Sequence, residues 1–199
     1  MIKISLLIIF SFVLGSIPFG VIIAKAKGLD LKKVGSGNIG ATNVLRTLGK
    51  GAAAMTLLGD MLKGAAAVAI GTYLSAGAAY EGIMGISAIL GHNFSLFLGF
   101  KGGKGVATSI GVLLIYSPQI AILTLIIWLV AVLMTRYSSL GAIMSFGLLP
   151  VNVWLFDYSK VKLITSAVIT ILILSRHIGN IERLVKGTEK KIGEQHRSN

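Results

Sequence analysis

Long stretches without a charged residue alternate along this chain with short polar segments. Charge-free runs cover residues 4–24, 82–100, 106–135 and 137–156. Each is near or beyond the roughly 20 residues that span the hydrocarbon of a bilayer. A single soluble core does not need so many apolar segments. The pattern therefore predicts an all-α, polytopic membrane protein.

Proline, glycine and charged residues divide the apolar stretches into about seven predicted transmembrane helices. We expect them over residues 4–24, 52–78, 82–97, 106–116, 118–135, 139–156 and 161–175. The break at Ser117–Pro118 is expected because proline suits the first turn of a new helix. The third and fourth helices are short for full spans. The 199 residues form one integral-membrane domain, with polar connections at residues 25–51, 99–105 and 136–138 and a polar tail at 176–199.

The charge distribution predicts how the chain is oriented. The net charge of +12 could indicate a nucleic-acid partner, but in so apolar a chain membrane topology explains it better. Placing the N-terminus outside leaves fifteen Lys and Arg residues on the inner side and only Lys3, Lys160 and Lys162 outside. Cytoplasmic loops are enriched in Lys and Arg. We therefore expect a cytoplasmic C-terminus and no nucleic-acid partner.

Three glycine-rich or polar clusters are predicted to share the cytoplasmic face. They lie at residues 35–46, 99–105 and 176–180. Successive glycines allow backbone N–H groups to approach an anion, and hydroxyl and cationic side chains add donors and charge. The clusters thus predict phosphate sites and supply these candidate residues: Ser36, Gly37, Asn38, Thr42, Asn43, Arg46, Gly102, Gly103, Lys104, His177 and Asn180.

The residue inventory excludes several other kinds of chemistry. Residues 101–105 lie between apolar helices and do not fit the nucleotide-binding pattern that follows a strand. The chain has no cysteine, so it has neither a thiolate nucleophile nor a thiolate metal ligand. Carboxylates are scarce on the inner face, which argues against a metal site. We expect no metal and no cofactor.

Several polar residues are open to more than one interpretation. His177 and Asn180 lie one helical turn apart and can serve as a base and an oxyanion donor, or equally as a capping pair. His92 is either an interhelical hydrogen-bonding residue or a functional one. Asp60 and Lys63 share a helix face and are expected to form a structural pair. The lysines of the first loop and of the tail are explained by the excess of positive charge in cytoplasmic loops and are not counted as site residues.

Three motifs of this chain resemble the bacterial membrane family of acyl-phosphate:glycerol-3-phosphate acyltransferases. The first combines residues 15–20 (GSIPFG) with 34–46 (VGSGNIGATNVLR). The second combines residues 91–95 (GHNFS) with 99–108 (GFKGGKGVAT), and the third combines 176–180 (RHIGN) with 186–189 (KGTE). The resemblance extends over most of the chain, and the motifs occur in the same order.

The resemblance implies the first acylation step of phospholipid synthesis in the bacterial inner membrane. An acyl group would pass from acyl phosphate to the 1-hydroxyl of glycerol 3-phosphate, giving 1-acylglycerol 3-phosphate and phosphate. The partners would be these two substrates and membrane lipids, and the enzyme would function as a monomer with its site on the cytoplasmic side. Acyl phosphate is already activated, so the transfer needs no enzyme nucleophile.

Our hypothesis for the site divides the candidate residues by role. Arg46, Lys104 and Ser36 bind phosphate groups, and the remaining first-loop residues with the Gly102–Gly103 backbone complete the cradles. His177 accepts the hydroxyl proton or orients the acceptor, and Asn180 stabilises the oxyanion. A phosphate oxygen of the substrate is the alternative base. Which residue holds which phosphate is left open.

Two functions from other classes compete with this interpretation. A transporter of an anionic metabolite would place its polar groups near the midplane and show paired halves, and the sequence shows neither. A structural subunit that binds anionic lipid would explain the basic tail. It would not explain a His–Asn pair beside two phosphate-like loops.

Overall fold

The computed structural model describes residues 2–193, and every regular element in that range is helical. Ten α-helices follow one another: α1 (Ile2–Ser16), α2 (Phe19–Ala26), α3 (Ala41–Tyr73), α4 (Ala78–Asn93), α5 (Val106–Tyr116), α6 (Pro118–Thr135), α7 (Ser138–Gly147), α8 (Leu149–Phe156), α9 (Lys160–Ser175) and α10 (Ile178–Val185). The all-α prediction is confirmed for this range. The end of the predicted tail, with its Arg197, lies outside the described residues.

By length and composition, three to five parts of the described chain can cross a membrane, whereas the sequence predicts about seven helices. Residues 2–26, α3 and α6 are long and apolar enough to span a bilayer, and the bent pairs α7–α8 and α9–α10 raise the number to five. Helices α4 and α5 have 16 and 11 residues, or about 24 and 17 Å at about 1.5 Å per residue. They are indeed short, as the sequence indicated, but a count of seven crossings is not confirmed.

Small residues allow several of the helices to pack with their backbones in close contact. A Cβ atom at Gly15 would overlap with Ala88 of α4, and one at Gly111 of α5 would overlap with the Met61 carbonyl of α3. Association of helices in lipid depends on such close packing, because the bilayer supplies no hydrophobic driving force between them. Gly64 of α3 packs in the same way, since a Cβ atom there would overlap with the carbonyl of Thr108.

Several boundaries differ from the sequence-based prediction. The second half of the predicted loop at residues 25–51 is helical, because α3 begins at Ala41 and continues past a kink at Gly49, where φ is +82°. The following turn lies at residues 74–77 instead of 79–81. Ser75 and Gly77 have positive φ values of 51° and 86° there, a conformation that ends α3 and allows α4 to begin early.

The ends of two other predicted helices also differ. The predicted helix over residues 82–97 stops at Asn93, after which Leu96–Leu98 form a single 3-10 turn. The predicted polar tail contains α10, which lies at 58° to α9 across a break at Arg176 and His177. Helix α10 places Asn180 inward, while Ile178 and Val185 are exposed. This break brings the third motif towards the first two.

Candidate active site

A cavity of about 740 Å³ lies between α3, α5, α6 and α7 and the segment that follows α9. One end is bordered by polar and cationic side chains from all three motifs. Further along the helices from the motifs the lining is mainly apolar, with Leu57, Met61, Ile110, Leu125 and Phe146, although Asp60 and His92 also lie in this part. A single cavity can therefore accommodate a charged group at one end and a hydrocarbon chain at the other.

The first motif is held in shape by the side chain of Asn43. Its Nδ2 group donates to the carbonyls of Leu31, Val34 and Asn38 at 3.4, 3.2 and 2.8 Å, and its Oδ1 accepts from the Ser36 amide at 2.8 Å. Asn43 is itself 1% exposed. Its side chain is fully engaged within the protein, so it supports the loop that carries Ser36 and Asn38 rather than presenting free donors.

Arg46 and Thr42 extend this motif along the first turns of α3. The Arg46 Nη2 atom donates to the Lys190 carbonyl at 2.9 Å, and its Nε is buried without a hydrogen-bond partner. Thr42 and Ser138 share a hydrogen bond of 3.1 Å. Lys190, which the sequence assigned to topology, therefore borders the site through its backbone.

The glycine loop of the second motif differs from its predicted role. The Gly102 and Gly103 amides donate to the carbonyls of Asn93 and His92 at 3.1 and 3.0 Å, so these N–H groups are not free to hold a phosphate. A Cβ atom at either glycine would overlap with His92 or Asn93. Close packing on the end of α4, not anion binding, explains both glycines. The Gly37 amide is likewise engaged, by the Val34 carbonyl at 3.0 Å.

Lys104 follows the glycines and joins a network with the third motif. Its Nζ donates to Asn180 Oδ1, and Asn180 Nδ2 donates to Glu189 Oε1 at 2.6 Å. Both the oxygen and the nitrogen of the Asn180 amide are thus engaged. The Nδ2 group that was predicted to donate to an oxyanion donates to Glu189 instead. Burial lowers the pKa of Lys104 to about 8, although the Glu189 carboxylate opposes this shift.

Glu189 is the residue of this network that the sequence analysis did not select. Ser139 donates to its Oε1 at 2.7 Å, and Arg183 Nε donates to its Oε2 at 2.7 Å. Burial alone would raise the pKa of this carboxyl, but the hydrogen bonds from Ser139, Arg183 and Asn180 hold the pKa below its usual value. Glu189 belongs to the third motif, and this position could have identified it as a site residue from the sequence alone.

His177 lies in the break between α9 and α10 and is 2% exposed. Its Nδ1 lies 2.8 Å from the Ile173 carbonyl. Because a carbonyl oxygen only accepts, Nδ1 carries the proton and Nε2 is left as an acceptor. Burial, reinforced by the charge of Lys104, lowers the pKa of His177 to about 4. The ring is therefore neutral near neutral pH.

Most of the predicted site residues come together around the polar end of the cavity. The eight that border it are Ser36, Asn38, Thr42, Asn43, Arg46, Lys104, His177 and Asn180. Gly37, Gly102 and Gly103 are not part of its lining. The structure adds Arg176, which donates to the carbonyls of Gly103 and Gly102 at 3.2 and 3.4 Å. It also adds Ser138 and Ser139, for which the sequence contained no signal.

The fold and the site together define a class: an all-helical integral membrane protein with a cationic site at one end of an apolar cavity. A family model described as glycerol-3-phosphate acyltransferase matches residues 5–187. The chain is 49% identical to the glycerol-3-phosphate acyltransferase of Sinorhizobium fredii, over 94% of this chain and 91% of that one. It is 47% identical to that of Mesorhizobium japonicum, over 94% and 95%.

Two solved structures have the same fold. The crystal structure of PlsY (YgiH), an integral membrane glycerol 3-phosphate acyltransferase, in its glycerol 3-phosphate form matches with a TM-score of 0.92 and 41% identity, over 96% of both chains. Its lysophosphatidic acid form matches with a TM-score of 0.90 and 40% identity. This chain belongs to the glycerol-3-phosphate acyltransferase family.

The role of Asn43 can be tested without measuring activity. In Asn43→Ala, four hydrogen bonds of the loop are lost, and tryptic cleavage after the exposed Lys32 and Lys33 should accelerate about tenfold, as a loss of about 1.4 kcal/mol would produce. Asn152→Ala on α8 is the matched control, because it removes a buried asparagine away from the loop. Equal cleavage rates in the two variants would contradict the supporting role.

Proposed function

We propose that this protein transfers an acyl group from acyl phosphate to the 1-hydroxyl of glycerol 3-phosphate, releasing 1-acylglycerol 3-phosphate (lysophosphatidic acid) and phosphate. The observation that carries the proposal is the cavity with one cationic and one apolar end. An acyl phosphate has the same two ends. Glycerol 3-phosphate needs only the cationic end, where its hydroxyl can meet the acyl carbonyl.

The charge of the cavity supports two phosphate groups rather than one. Four cationic side chains border it: Arg46, Lys104, Arg176 and Arg183. Of the two carboxylates in the lining, Asp60 is already paired with Lys63, so only Glu189 opposes these charges. This leaves an excess of three positive charges (four minus one). A cavity of about 740 Å³ accommodates two small headgroups and one chain.

The proposed reaction is a direct acyl transfer. The 1-hydroxyl oxygen of glycerol 3-phosphate attacks the acyl carbon, and a new carbon–oxygen ester bond forms. The bond between that carbon and the phosphate oxygen breaks, and phosphate leaves with the electron pair. Because the leaving group is already good, no covalent acyl-enzyme is required.

We assign the proton of the attacking hydroxyl to a phosphate oxygen of the substrate. A base is most effective when its pKa is near the working pH, and His177, with a pKa of about 4, is poorly matched. A phosphate monoester has a second pKa of about 6. The Nε2 acceptor of His177 then orients glycerol 3-phosphate by accepting a hydrogen bond from its 2-hydroxyl group, which leaves the hydrogen of the 1-hydroxyl for the phosphate oxygen.

The remaining residues divide into groups that bind substrate and groups that hold them in place. We assign phosphate binding to Arg46, Lys104 and the Ser36 hydroxyl, with Asn38 and Thr42 at the same end. Arg46 has a buried Nε that lacks a partner, which a phosphate oxygen can satisfy. Asn43 supports the loop, and Asn180 positions the ammonium of Lys104.

We further propose that the protein acts as a monomer in the bacterial inner membrane, with the N-terminus outside and the site facing the cytoplasm. The distribution of Lys and Arg supports this orientation. Exposed apolar side chains along α1 and α6, such as Leu6, Ile9, Ile126 and Leu133, are suited to contact lipid. The product would enter phospholipid synthesis in the same leaflet.

The orientation predicts opposite labelling of two single-cysteine variants. The chain has no cysteine, so Lys33→Cys and Lys160→Cys each carry one thiol at an exposed position. In intact cells an impermeant maleimide should label Lys160→Cys and spare Lys33→Cys until the membrane is opened. The reverse pattern would invert the proposed topology.

The donor assignment predicts that phosphate release requires acyl phosphate. Purified protein in detergent should release phosphate from palmitoyl phosphate only when glycerol 3-phosphate is present, and palmitoyl-CoA should not replace the donor. Arg46→Ala should lower kcat/KM about 10- to 100-fold, the value of one charge-assisted hydrogen bond. His177→Ala should lower kcat about a hundredfold through misorientation of the acceptor.

Lys27→Ala is the matched control for Arg46→Ala, because Lys27 is an exposed cation that does not border the cavity. It should stay within about twofold of the wild type. Turnover of palmitoyl-CoA at the rate of palmitoyl phosphate would refute the donor assignment. An absence of turnover with both donors in folded protein would refute the proposed activity.

A further inference from the structure

Three ionisable side chains form a buried cluster beside the cavity, and the proposed chemistry does not use them. Asp60 and Lys63 lie on α3, and His92 lies in the last turn of α4. Their exposed fractions are 2, 3 and 4%. Ionisable groups among apolar helices are costly and usually mark a functional site. The cluster therefore calls for an explanation beyond helix packing.

The cluster connects the break in the first helix to the end of α4. Lys63 Nζ donates to the Ile17 carbonyl at 2.8 Å, where Pro18 separates α1 from α2. Asp60 Oδ1 lies 2.8 Å from Lys63 Nζ and 3.5 Å from His92 Nδ1. The Asp60 carboxylate is thus ion-paired with Lys63 and lies beside the His92 ring, while Asp60 Oδ1 and His92 Nδ1 have no hydrogen bond to any described residue.

The opposite edge of the His92 ring lies against the glycine loop. A Cβ atom placed on Gly103 would overlap with His92 Nε2, so the ring sits directly beside the Gly103 backbone. The His92 carbonyl also accepts the Gly103 amide at 3.0 Å. His92 therefore contacts the loop through both its side chain and its backbone.

The same loop carries the ammonium group of the site. Lys104 follows Gly103 directly and donates to Asn180 Oδ1. The carbonyls of Gly103 and Gly102 accept from Arg176 at 3.2 and 3.4 Å. A shift of the glycine loop would therefore move Lys104 and Arg176 together, both of which border the cavity.

We propose that His92, which lies between the Asp60–Lys63 pair and Gly103, is a positioning residue that sets the place of Lys104 in the cavity through the Gly103 backbone. The inference rests on the proposed function for its ligand, glycerol 3-phosphate. It deepens that function by assigning a role to three residues outside the phosphate-binding set. Loss of the His92 ring leaves a gap under Gly103, and the loop with Lys104 moves into it.

A double-mutant cycle between His92 and Gly103 tests the contact. The readout is the Kd of radiolabelled glycerol 3-phosphate for the purified protein, well below the unfolding temperature of every variant. His92→Ala should raise Kd about tenfold because the loop loses its support. Gly103→Ala should raise it at least as much, because the new methyl group overlaps with the ring. Gly103 has no positive φ, so alanine causes no backbone strain of its own.

The combined variant gives the decisive result. In His92→Ala/Gly103→Ala the methyl group enters the space left by the ring, so the double variant should bind at least about fivefold more tightly than Gly103→Ala alone. If the two residues act independently, the factors by which the two single substitutions raise Kd should multiply in the double variant. A multiplied effect in the double variant would overturn the positioning role.

The Asp60→Asn variant tests whether the cluster affects the binding of glycerol 3-phosphate or only the stability of the protein. It should lower the thermal unfolding temperature and raise the Kd of glycerol 3-phosphate about tenfold. Asp157→Asn is the matched control, because it removes a carboxylate paired with Lys162 at 2.7 Å away from the cavity. It should lower stability while leaving Kd within about twofold.

The possible results separate the two proposals. Equal Kd changes in Asp60→Asn and Asp157→Asn would show that the cluster acts only through stability, and would overturn the inference while the proposed function stands. A folded wild-type protein without affinity for glycerol 3-phosphate would overturn both.

Discussion

The hydrogen bond from Lys104 to Asn180 is the interaction on which the rest of the site depends. A buried ammonium group needs partners for its donors, or it loses its proton. Asn180 supplies one partner and is itself fixed by Glu189, which Ser139 and Arg183 hold in turn. One chain of bonds therefore connects the glycine loop, α10, the end of the described tail and α7.

Breaks in the helices provide the polar groups that this arrangement requires. In lipid, irregular backbone is tolerated only where it is buried in protein or borders a polar cavity. The α9–α10 break places His177 in the cavity lining, and the kink at Gly49 lies close to Arg46 on α3. The α1–α2 break is satisfied by Lys63. Of these three departures from a straight helix, two lie at the site and the third has a buried lysine as its partner.

The sequence indicated which segments converge but not how their groups bond. Three motifs rich in glycine and polar residues, all predicted on one face, sufficed to select eight residues that border the cavity. The break at Ser117–Pro118 was also readable, because proline has a fixed preference at a helix start. Glu189 was not selected, because a carboxylate is unexpected in a site predicted to bind anions. Its role became clear only from the hydrogen bonds that Ser139, Arg183 and Asn180 donate to it.

Glycine was the main source of error. Successive glycines at Gly102 and Gly103 fit both an anion cradle and close backbone packing, and only the tertiary contact with His92 and Asn93 distinguishes them. Gly49 and Gly51 made the start of α3 resemble a loop, whereas the chain is helical on both sides of a kink at Gly49. The number of membrane crossings also depends on helix lengths and bends that hydropathy alone does not reveal.

The pH dependence of kcat/KM tests most directly whether the Lys104 ammonium binds phosphate. This ratio reports the ionisation of the free enzyme, and a lysine with a pKa of about 8 is charged below that pH and neutral above it. For the wild type, kcat/KM for glycerol 3-phosphate should fall about tenfold per pH unit above about pH 8. Lys104→Arg keeps its charge, so its ratio, although lower, should not fall there. A flat wild-type profile to about pH 9.5, or the same fall in Lys104→Arg, would contradict this account.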